Sequence, residues 1–373
     1  MKFVESCRPL TNRAEMVPLS KRLRQAPQTP KLFLHVQHLY TALLVPPTPP
    51  LPLYTAKIMT DISVVILVGN EERHIGRCLE KLAALAPRQV FVVESQHGDR
   101  THEVAVETAR RMGWEPCRGG ERVEREDVGC RCRGSEGEKI ELQTVFHTWP
   151  GLQAKQFNWA IDNLPIVGEW VLRLDADEYL TDATIERMKS ELASIPSSTC
   201  GLTLELKRKF CGGEIRHATI GIRQVRLFRR GCARYDEGLM DERLVVVKKV
   251  EKVGGGGEGK GEPCSEGEIV QDFDGAFYDD SLMPMDEWRE KHRGYAKREA
   301  AQAIESLKTG VWTDPRKASY YRLPRYLRAF AYFCIRYFLK GGILDGRAGW
   351  QWNFWQGLWY RCLVDREVGR LKR

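Results

Sequence analysis

Two carboxylates stand close together at the end of a mostly apolar run. Asp175 and Asp177 follow Trp170–Leu174 and are separated by a single alanine. In an extended chain, residues i and i+2 point to the same side, so we expect both carboxylates to face one cation. Oxygen ligands of this kind favour Mg²⁺ or Mn²⁺. The spacing therefore predicts a divalent-metal site that neutralises charge on a departing diphosphate.

A second polar pair precedes these carboxylates. Lys155 and Asn158 fall about one helical turn apart, so they can share a helix face. Near a diphosphate, Lys155 would supply a point charge and Asn158 a hydrogen bond. The alternative is an exposed lysine on an amphipathic helix in which Phe157 and Trp159 are packing residues, and the sequence leaves both interpretations open.

The segments around these residues alternate between strand and helix patterns. Ile62–Val68 and Gln89–Val93 are short apolar runs typical of buried strands. Helical spacing follows each of them, from Ile75 to Leu85 and over Thr101–Met112. This alternation predicts an α/β fold with a doubly wound, mostly parallel sheet. Such sheets bind ligands beyond the carboxyl ends of their strands.

The distribution of charge bears on possible partners. The chain of 373 residues has a formal net charge of +8. Residues 1–58 contain 8 Lys/Arg against 2 Asp/Glu, and residues 319–373 contain 11 against 3, which leaves an acidic middle. A nucleic-acid-binding protein normally carries its basic stripe on the folded domain, so this pattern argues against nucleic acid as a partner. Basic ends fit contact with an anionic membrane surface instead.

Several motifs together resemble the inverting family 2 glycosyltransferases of GT-A fold, and within them the bacterial lipopolysaccharide core β-1,4-glucosyltransferases. The resemblance extends over most of 60–373 and leaves out 1–58. The residues that carry it are Ile62–Glu72, Glu94-Ser95, Gly98–Thr101, Trp149–Gly151, Ala154–Ala160, Leu172–Leu180, Arg226–Arg229, Met240–Glu242, Glu290–His292, Tyr295 and Glu299-Ala300.

The resemblance implies a nucleotide-sugar donor, with UDP as its nucleotide. It places Val68, Asn70 and Glu71 along the base and ribose, and Glu94 where family members usually have an aspartate. This departure from the family pattern makes uridine selectivity less secure. Asp99 has two open interpretations, because a residue just before a helical run can cap that helix as well as contact a ligand.

The resemblance also implies the residues of the transfer step. An inverting transfer needs one general base that removes the proton of the acceptor hydroxyl. The implied base is Asp241, with Glu242 as the second candidate. The alternative for both is an acid at a helix start or in a surface salt bridge. His292, in a helix predicted over Asp286–Leu307, is a candidate contact to the phosphates or the acceptor, although a lone helical histidine is commonly structural.

The C-terminal region has the pattern of a membrane-interface helix. On a helical wheel of 324–340, four basic residues fall within one third of the circumference: Arg325, Arg328, Arg336 and Lys340. Most of the rest is apolar or aromatic, which predicts an apolar face in the lipid boundary and a basic face toward anionic headgroups. The aromatic residues that follow are typical of membrane interfaces: Trp350, Trp352, Trp355, Trp359 and Tyr360. The alternative is a helical pair that packs on the catalytic domain.

These observations predict three regions. Residues 1–58 form a poorly ordered, basic and Pro-rich extension. Residues 59–310 form the GT-A domain, with surface insertions at 115–141 and 250–268. Residues 311–373 form a helical, membrane-associating region.

The expected activity is transfer of a hexose, glucose from a UDP-sugar, onto a membrane-held glycan or glycolipid. Two alternatives stay open, a polyprenyl-phosphate acceptor and a catalytically silent scaffold on the same fold. The expected location is peripheral to a membrane, on its cytoplasmic face in a bacterium and in an organelle or the Golgi in a eukaryote.

Overall fold

The computed structural model describes the chain in seven stretches. Predictions for the extension 1–58, for the insertion 250–268 and for Asp241 and Glu242 lie outside them, as does most of the insertion 115–141. The described stretches are 59–96, 98–117, 139–217, 221–236, 244–246, 270–312 and 315–373.

A mixed sheet of ten strands is the centre of the described part. Its strand order is β3-β4-β2-β1-β5-β9-β7-β12-β6, with β8 paired to β7, while β10 and β11 form a separate pair. Strands β3, β4, β2, β1 and β5 run parallel, as do β7 and β12, and β9 is antiparallel to both of its neighbours. The strands are β1 Thr60–Val68, β2 Pro87–Glu94, β3 Glu115–Pro116, β4 Glu141–Phe146, β5 Trp170–Asp175, β6 Glu178–Leu180, β7 Gly201–Phe210, β8 Gly213–Ile215, β9 Arg223–Arg229, β10 Ala233–Tyr235, β11 Leu244–Val246 and β12 Val270–Asp280.

Helices flank the sheet and make up the C-terminal region. The predicted α/β class, with a mostly parallel sheet, flanking helices and a helical C-terminal region, is confirmed. The α-helices are α1 Ile75–Leu82, α2 Thr101–Arg111, α3 Gln153–Asn163, α4 Asp182–Glu191, α5 Met285–Thr309, α6 Pro315–Arg322, α7 Leu327–Cys334, α8 Gly346–Trp352 and α9 Tyr360–Leu371. Ile335–Leu339 and Asn353–Trp359 are π-helical, and Leu192–Ser194 and Gly342–Asp345 are 3₁₀.

The alternation of side chains along the strands builds the two faces of the core. On β1, Ile62, Val64 and Ile66 belong to a cluster that includes residues of α1, α2 and α4. Val65 and Leu67 belong to the other cluster, with residues of α3. Side chains of successive residues point to opposite faces, so every strand between these layers must be apolar on both.

The C-terminal helices pack on α5 and on one end of the sheet. Three alanines of α5, at Ala296, Ala300 and Ala303, lie against Leu363 and Val364 of α9. Small side chains at this helical spacing let the two helices approach closely. A further cluster joins β7 and β8 to α5 and α8: Phe210, Ile215, Trp288, Ala348 and Trp352.

The predicted orientation of the basic face in 324–340 is wrong. Arg328 and Arg336 are buried rather than turned toward the outside, and only Arg325 and Lys340 of the four basic residues are exposed. Arg328 is buried because it pairs with Asp365 of α9. The error concerns the basic residues, because Arg328 faces inward while Leu327 and Phe330 of the same helix are exposed.

This region has many exposed large apolar side chains, which together are called here the apolar surface. They are Leu323, Tyr326, Leu327, Phe330, Ile335, Phe338, Leu339, Ile343, Leu344 and Trp350. Within the described stretches, no helix is both long enough and apolar enough to span a bilayer.

Candidate functional site

The carboxyl ends of three parallel strands meet at one edge of the sheet. Val68 at the end of β1 is in register with Glu94 at the end of β2. Leu67 is in register with Asp175 at the end of β5. The sheet therefore brings together the predicted donor residues of β1 and β2 and the first carboxylate of the predicted metal site, as expected for ligand-binding α/β sheets.

Asn70 connects the loops that follow β1 and β2. Its backbone has φ of 58°, in the left-handed region that Asn tolerates better than most residues. Its Nδ2 donates to Gln96 Oε1 at 3.0 Å, and its Oδ1 accepts the N–H of Gly98 at 3.0 Å. A Cβ on Gly98 would lie 2.9 Å from the Asn70 amide, which explains the glycine. Asn70 thus fixes the relative position of the two loops.

Asp99 binds the start of α2 and the loop after β1. Its Oδ1 accepts from the Thr101 N–H at 3.0 Å and from the Thr101 hydroxyl at 2.6 Å. Its Oδ2 accepts the N–H of Glu72 at 3.0 Å. These bonds satisfy backbone donors that a helix start leaves without intrahelical partners, so they fit the first of the two interpretations of Asp99.

Glu71 and His74 link the loop after β1 to the segment after β12. His74 Nε2 accepts the N–H of Leu282 at 2.8 Å, so the hydrogen of the neutral ring is on Nδ1. That Nδ1–H donates to Glu71 Oε2 at 2.6 Å. Because His74 is buried, the pair holds the Glu71 carboxylate in one position near the edge of the sheet.

Glu94, the predicted base-binding acid, is enclosed by the protein. Its side chain is 1% exposed and its Oε1 lies 3.5 Å from His102 Nδ1. His102 Nδ1 also lies 2.9 Å from the hydroxyl of Thr144. Burial at this level means that a bound nucleotide could reach the Glu94 carboxylate only after a side-chain movement.

Asp175 is bonded on the face of the sheet that α3 covers. Its Oδ1 accepts from Arg173 Nη2 at 2.8 Å and from Gln153 Nε2 at 3.1 Å. Its N–H donates to Glu178 Oε2 at 2.9 Å. The alternation along β5 places Arg173 and Asp175 on this face, while Leu172 and Leu174 lie on the other.

The prediction that Asp175 and Asp177 lie in one extended strand is wrong. Strand β5 ends at Asp175, and Ala176 and Asp177 form a turn before β6. The i, i+2 rule for extended chains therefore does not apply, and the two carboxylates line different cavities. They are nevertheless close enough for Asp175 to act electrostatically on Asp177.

Asp177 is a carboxyl group under strong repulsion. Burial and nearby carboxylates raise its pKa to about 7. In order of effect, these carboxylates belong to Asp279, Asp175 and Glu71. Within the part of the chain that the structure describes, no hydrogen bond or salt bridge is made to the Asp177 carboxylate. A cation beside it would relieve both the burial and the repulsion.

A divalent metal fits this position only together with a ligand. In the described residues, no three His, Cys, Asp or Glu side chains converge as a complete metal site. Mg²⁺ commonly takes one or two carboxylates and completes its shell with water and substrate phosphates. Asp177, with Asp175 next to it, meets this requirement, although Asp175 is already bonded to Arg173 and Gln153.

The cavity beside Asp177, called here the aspartate cavity, is lined by cationic and aromatic side chains. Its volume is about 490 Å³, and Lys209, Lys291 and Trp288 line it. Burial disfavours the charged form of Lys291, but Tyr295, Glu71 and Asp177 raise the pKa of this lysine overall. Two ammonium groups therefore line the cavity that the Asp177 carboxylate also lines, and that of Lys209 donates to the Tyr179 hydroxyl at 2.8 Å.

His292 also lines the aspartate cavity, as a neutral ring. It stacks on Trp288 with ring centroids 3.5 Å apart, and its Nδ1 lies 2.8 Å from the Trp288 carbonyl oxygen. Burial lowers the pKa of His292 to about 4. His292 can therefore donate a hydrogen bond to the Trp288 carbonyl while its Nε2 is left as an acceptor at neutral pH.

A second cavity, called here the arginine cavity, lies on the Asp175 side. Its volume is about 650 Å³. Four arginines line it, namely Arg173, Arg208, Arg223 and Arg226. The sequence analysis did not identify this set, because the four residues lie on three separate strands. The available signal was a charged residue inside an apolar strand, as in Leu172-Arg173-Leu174.

Lys155 and Asn158 have different surroundings. Asn158 is buried, donates from Nδ2 to the Tyr235 carbonyl at 3.0 Å and accepts the Tyr235 N–H at 2.8 Å. It ties α3 to β10. Lys155 is exposed.

Asp241 and Glu242 lie outside the described residues. Tyr235 and Leu244, which are described on either side of them in sequence, both line the arginine cavity.

No protein-family model matches the chain. No curated protein matches it either. Solved structures share low identity with it. The S. aureus TarS 1–349 structure is 16% identical over 84% of this chain and 83% of that chain, with a TM-score of 0.36. The mannosyltransferase PcManGT from Pyrobaculum calidifontis, in complex with GDP-Man and Mn²⁺, is 14% identical over 91% of this chain and 95% of that chain, with a TM-score of 0.43. Glucosyl-3-phosphoglycerate synthase from Mycobacterium tuberculosis, with Mn²⁺, UDP and phosphoglyceric acid, is 14% identical over 42% of this chain and 46% of that chain, with a TM-score of 0.27.

Proposed function

We propose that the protein is an inverting glycosyltransferase that moves a hexose, glucose from a UDP-sugar, onto a membrane-held glycan of lipopolysaccharide type. The observation that carries the proposal is the position of the Asp177 carboxylate, in the turn after β5 at the carboxyl edge of the sheet, where it lines the aspartate cavity. The ammonium groups of Lys209 and Lys291 line the same cavity. Carboxylates for a cation and ammonium groups for phosphates together form a site for a metal-bound diphosphate.

The nucleoside of the donor occupies the loops after β1 and β2. Val68, Asn70, Glu71, Glu94 and Asp99 belong to this part of the site. The bonds that join these loops support the proposal, because they hold the loops in place before a ligand arrives. Lys155, which is exposed, remains available to the donor phosphates, whereas Asn158 supports the site by fixing β10.

Mn²⁺ or Mg²⁺ would be held by Asp177 and Asp175. When bound, it neutralises charge on the departing nucleoside diphosphate. The protein residues around it bind and orient the donor. Lys291 and Lys209 add positive charge on the side of the aspartate cavity, and neutral His292 offers an acceptor there.

The acceptor hydroxyl is deprotonated by Asp241, or by Glu242 in its place. Support comes from the chain connection, since Tyr235 and Leu244 both line the arginine cavity. The described residues on either side of this segment therefore line the same cavity as Asp175.

The acceptor is held at a membrane, to which the protein attaches peripherally through the apolar surface. An exposed apolar area of this kind marks an interaction site in a folded protein. Exposed Phe and Trp side chains on an amphipathic helical region are typical of insertion into the headgroup boundary. Two exposed basic residues of the same region, Arg325 and Lys340, add attraction to anionic headgroups.

Calorimetric titration with a panel of UDP-, GDP- and ADP-sugars, with Mn²⁺ and with chelator, tests the proposal. We expect one UDP-sugar to bind only with metal, and Asp177→Ala to remove that binding. Asp162→Ala, which removes an exposed salt bridge with Arg234, is the control. Absence of binding by every nucleotide sugar to the folded protein would favour the silent scaffold instead.

A further inference from the structure

Arg226 is a buried arginine whose hydrogen-bonding capacity is only partly used. It is 4% exposed, and its Nη2 donates to Glu178. Its Nε and Nη1 are buried and donate to no acceptor among the residues that the structure describes. Buried donors on a charged group are expensive to leave without a partner, and such exceptions in folded proteins call for an explanation.

Arg208, across the same cavity, repeats the pattern. Its Nη2 lies 2.6 Å from Asp279 Oδ2, and its guanidinium lies over the Trp352 ring at 4.8 Å from the centroid. Its Nε is buried and has no acceptor in the described stretches. Two arginines on neighbouring strands thus offer guanidinium N–H groups beyond those that their carboxylate partners use.

The carboxylates in the wall do not balance the arginines. Asp175, Glu178 and Asp279 line the cavity with four arginines, and each of the three is already bonded to one of them. The fourth, Arg223, forms a salt bridge with Asp272, which does not line the cavity. Among the lining side chains the arginines therefore outnumber the carboxylates by one, which favours an anionic occupant. Guanidinium groups suit phosphate oxygens in particular.

The position of the cavity separates it from the proposed nucleotide site. Its walls come from α3, β5, β6, β7, β9, β10, β11 and β12. None of its lining residues belongs to the loops after β1 and β2, which carry Asn70, Glu71 and Glu94. Asp175 belongs to the proposed metal site, and Arg208 and Asp279 line the aspartate cavity as well as this one. An anion in the arginine cavity would therefore lie next to the donor diphosphate.

We propose that the arginine cavity binds a phosphate-type anion carried by the acceptor, with Arg226 and Arg208 as its principal donors. This inference rests on the proposed transferase function only in assigning the anion to the acceptor. The anion site itself follows from the cavity wall. The same oxyanion chemistry could come from the donor diphosphate, and the experiment separates the two sources.

The test is calorimetric titration of the full chain with glucose 6-phosphate, and with glucose as the uncharged control, in the absence and presence of saturating UDP and Mg²⁺. We expect glucose 6-phosphate to bind with UDP present and glucose to bind far more weakly. Arg226→Gln should raise the Kd for glucose 6-phosphate on the order of 10- to 100-fold, the range of a lost charge-assisted hydrogen bond. Arg226→Lys should restore part of the affinity, because it keeps the charge.

Arg208→Gln provides a second variant for the case in which Arg226→Gln does not fold, since Arg208 is less buried. Arg234→Gln removes an exposed arginine outside the cavity and should leave the Kd unchanged. Displacement of glucose 6-phosphate by UDP, or an unchanged Kd in Arg208→Gln, would overturn the proposal. Binding of glucose 6-phosphate without binding of any nucleotide sugar would support the anion site and refute the proposed function.

Discussion

Arg328 and Asp365 form a salt bridge that is almost completely enclosed, with the two side chains 3% and 1% exposed. Arg328 Nε donates to Asp365 Oδ1 at 2.8 Å, and Asp365 Oδ2 accepts the N–H of Tyr326 at 2.7 Å. The pair joins α7 to α9 across 37 residues of sequence. It fixes which side of α7 faces inward, and therefore which side chains form the apolar surface.

Removal of one partner of this pair should destabilise the protein strongly. Asp365→Ala leaves a buried guanidinium without its carboxylate, which costs about 3–5 kcal/mol in comparable pairs. Urea denaturation of the full chain measures the loss. The control is Arg366→Gln, which removes an exposed arginine on the same helix and should change the free energy of unfolding by less than about 0.5 kcal/mol. Equal stability of Asp365→Ala and wild type would show that the pair does not hold the helices together.

Membrane binding should depend on apolar side chains more than on charge. Phe330→Ser and Phe338→Ser each remove an exposed aromatic ring from the apolar surface, and each should weaken liposome binding about tenfold. Binding should persist at 0.5 M salt (roughly a 4–5 Å screening length), because Arg328 and Arg336 are buried. Liposome sedimentation measures both effects.

Leu307→Ser is the matched control for these variants, because Leu307 is an exposed apolar residue of α5 outside the apolar surface. Binding that salt abolishes and that neither phenylalanine affects would indicate attachment by charge alone.

The raised pKa of Asp177 makes stability depend on pH in a defined direction. A carboxyl whose folded-state pKa is about 7, against an ordinary value of 3.8, binds its proton more tightly in the folded state. Its contribution to stability is complete below about pH 4 and is lost as pH rises through 7. Without divalent metal, Asp177→Asn should therefore be more stable than wild type at pH 8, by about 1–3 kcal/mol after allowance for partial exposure.

Thermal denaturation in chelator at pH 8 and at pH 4.5 checks this difference, which should become smaller at the lower pH. Addition of Mn²⁺ at pH 8 should stabilise wild type more than the variant. A variant less stable than wild type at pH 8 would mean that Asp177 is not under net repulsion.

Local patterns were sufficient to predict the layers of the fold. Burial on both faces of the sheet requires apolar runs in β1 and β2, and packing on the sheet requires helical spacing after them. Both patterns can be recognised within a single segment of sequence. The prediction that Asp175 and Asp177 share a face was wrong because the strand ends at Asp175, two residues earlier than assumed. Partners distant in sequence were not predictable. Asp365 neutralises Arg328, and Arg208 and Arg226 meet only when β7 and β9 pair.

The proposed base can be separated from the donor site by its effect on turnover. Asp241→Asn should lower kcat at least about 100-fold, the usual contribution of a general base, and change donor affinity less than about twofold. Glu242→Gln, measured beside it, identifies which of the two acids acts. Initial rates of sugar transfer and donor Kd values give the comparison. Unchanged turnover in both variants would exclude this segment from the chemistry.

Slow hydrolysis of UDP-glucose tests the central claim most directly, because it needs the donor site and the metal but no acceptor. The measurement compares wild type, Asp177→Asn and the exposed control Asp274→Asn, each with Mn²⁺, with Mg²⁺ and with chelator. We expect metal-dependent release of UDP by wild type and by the control, and none by Asp177→Asn. Hydrolysis that is unaffected by chelator, or that Asp177→Asn retains in full, would contradict a metal-bound diphosphate at Asp177.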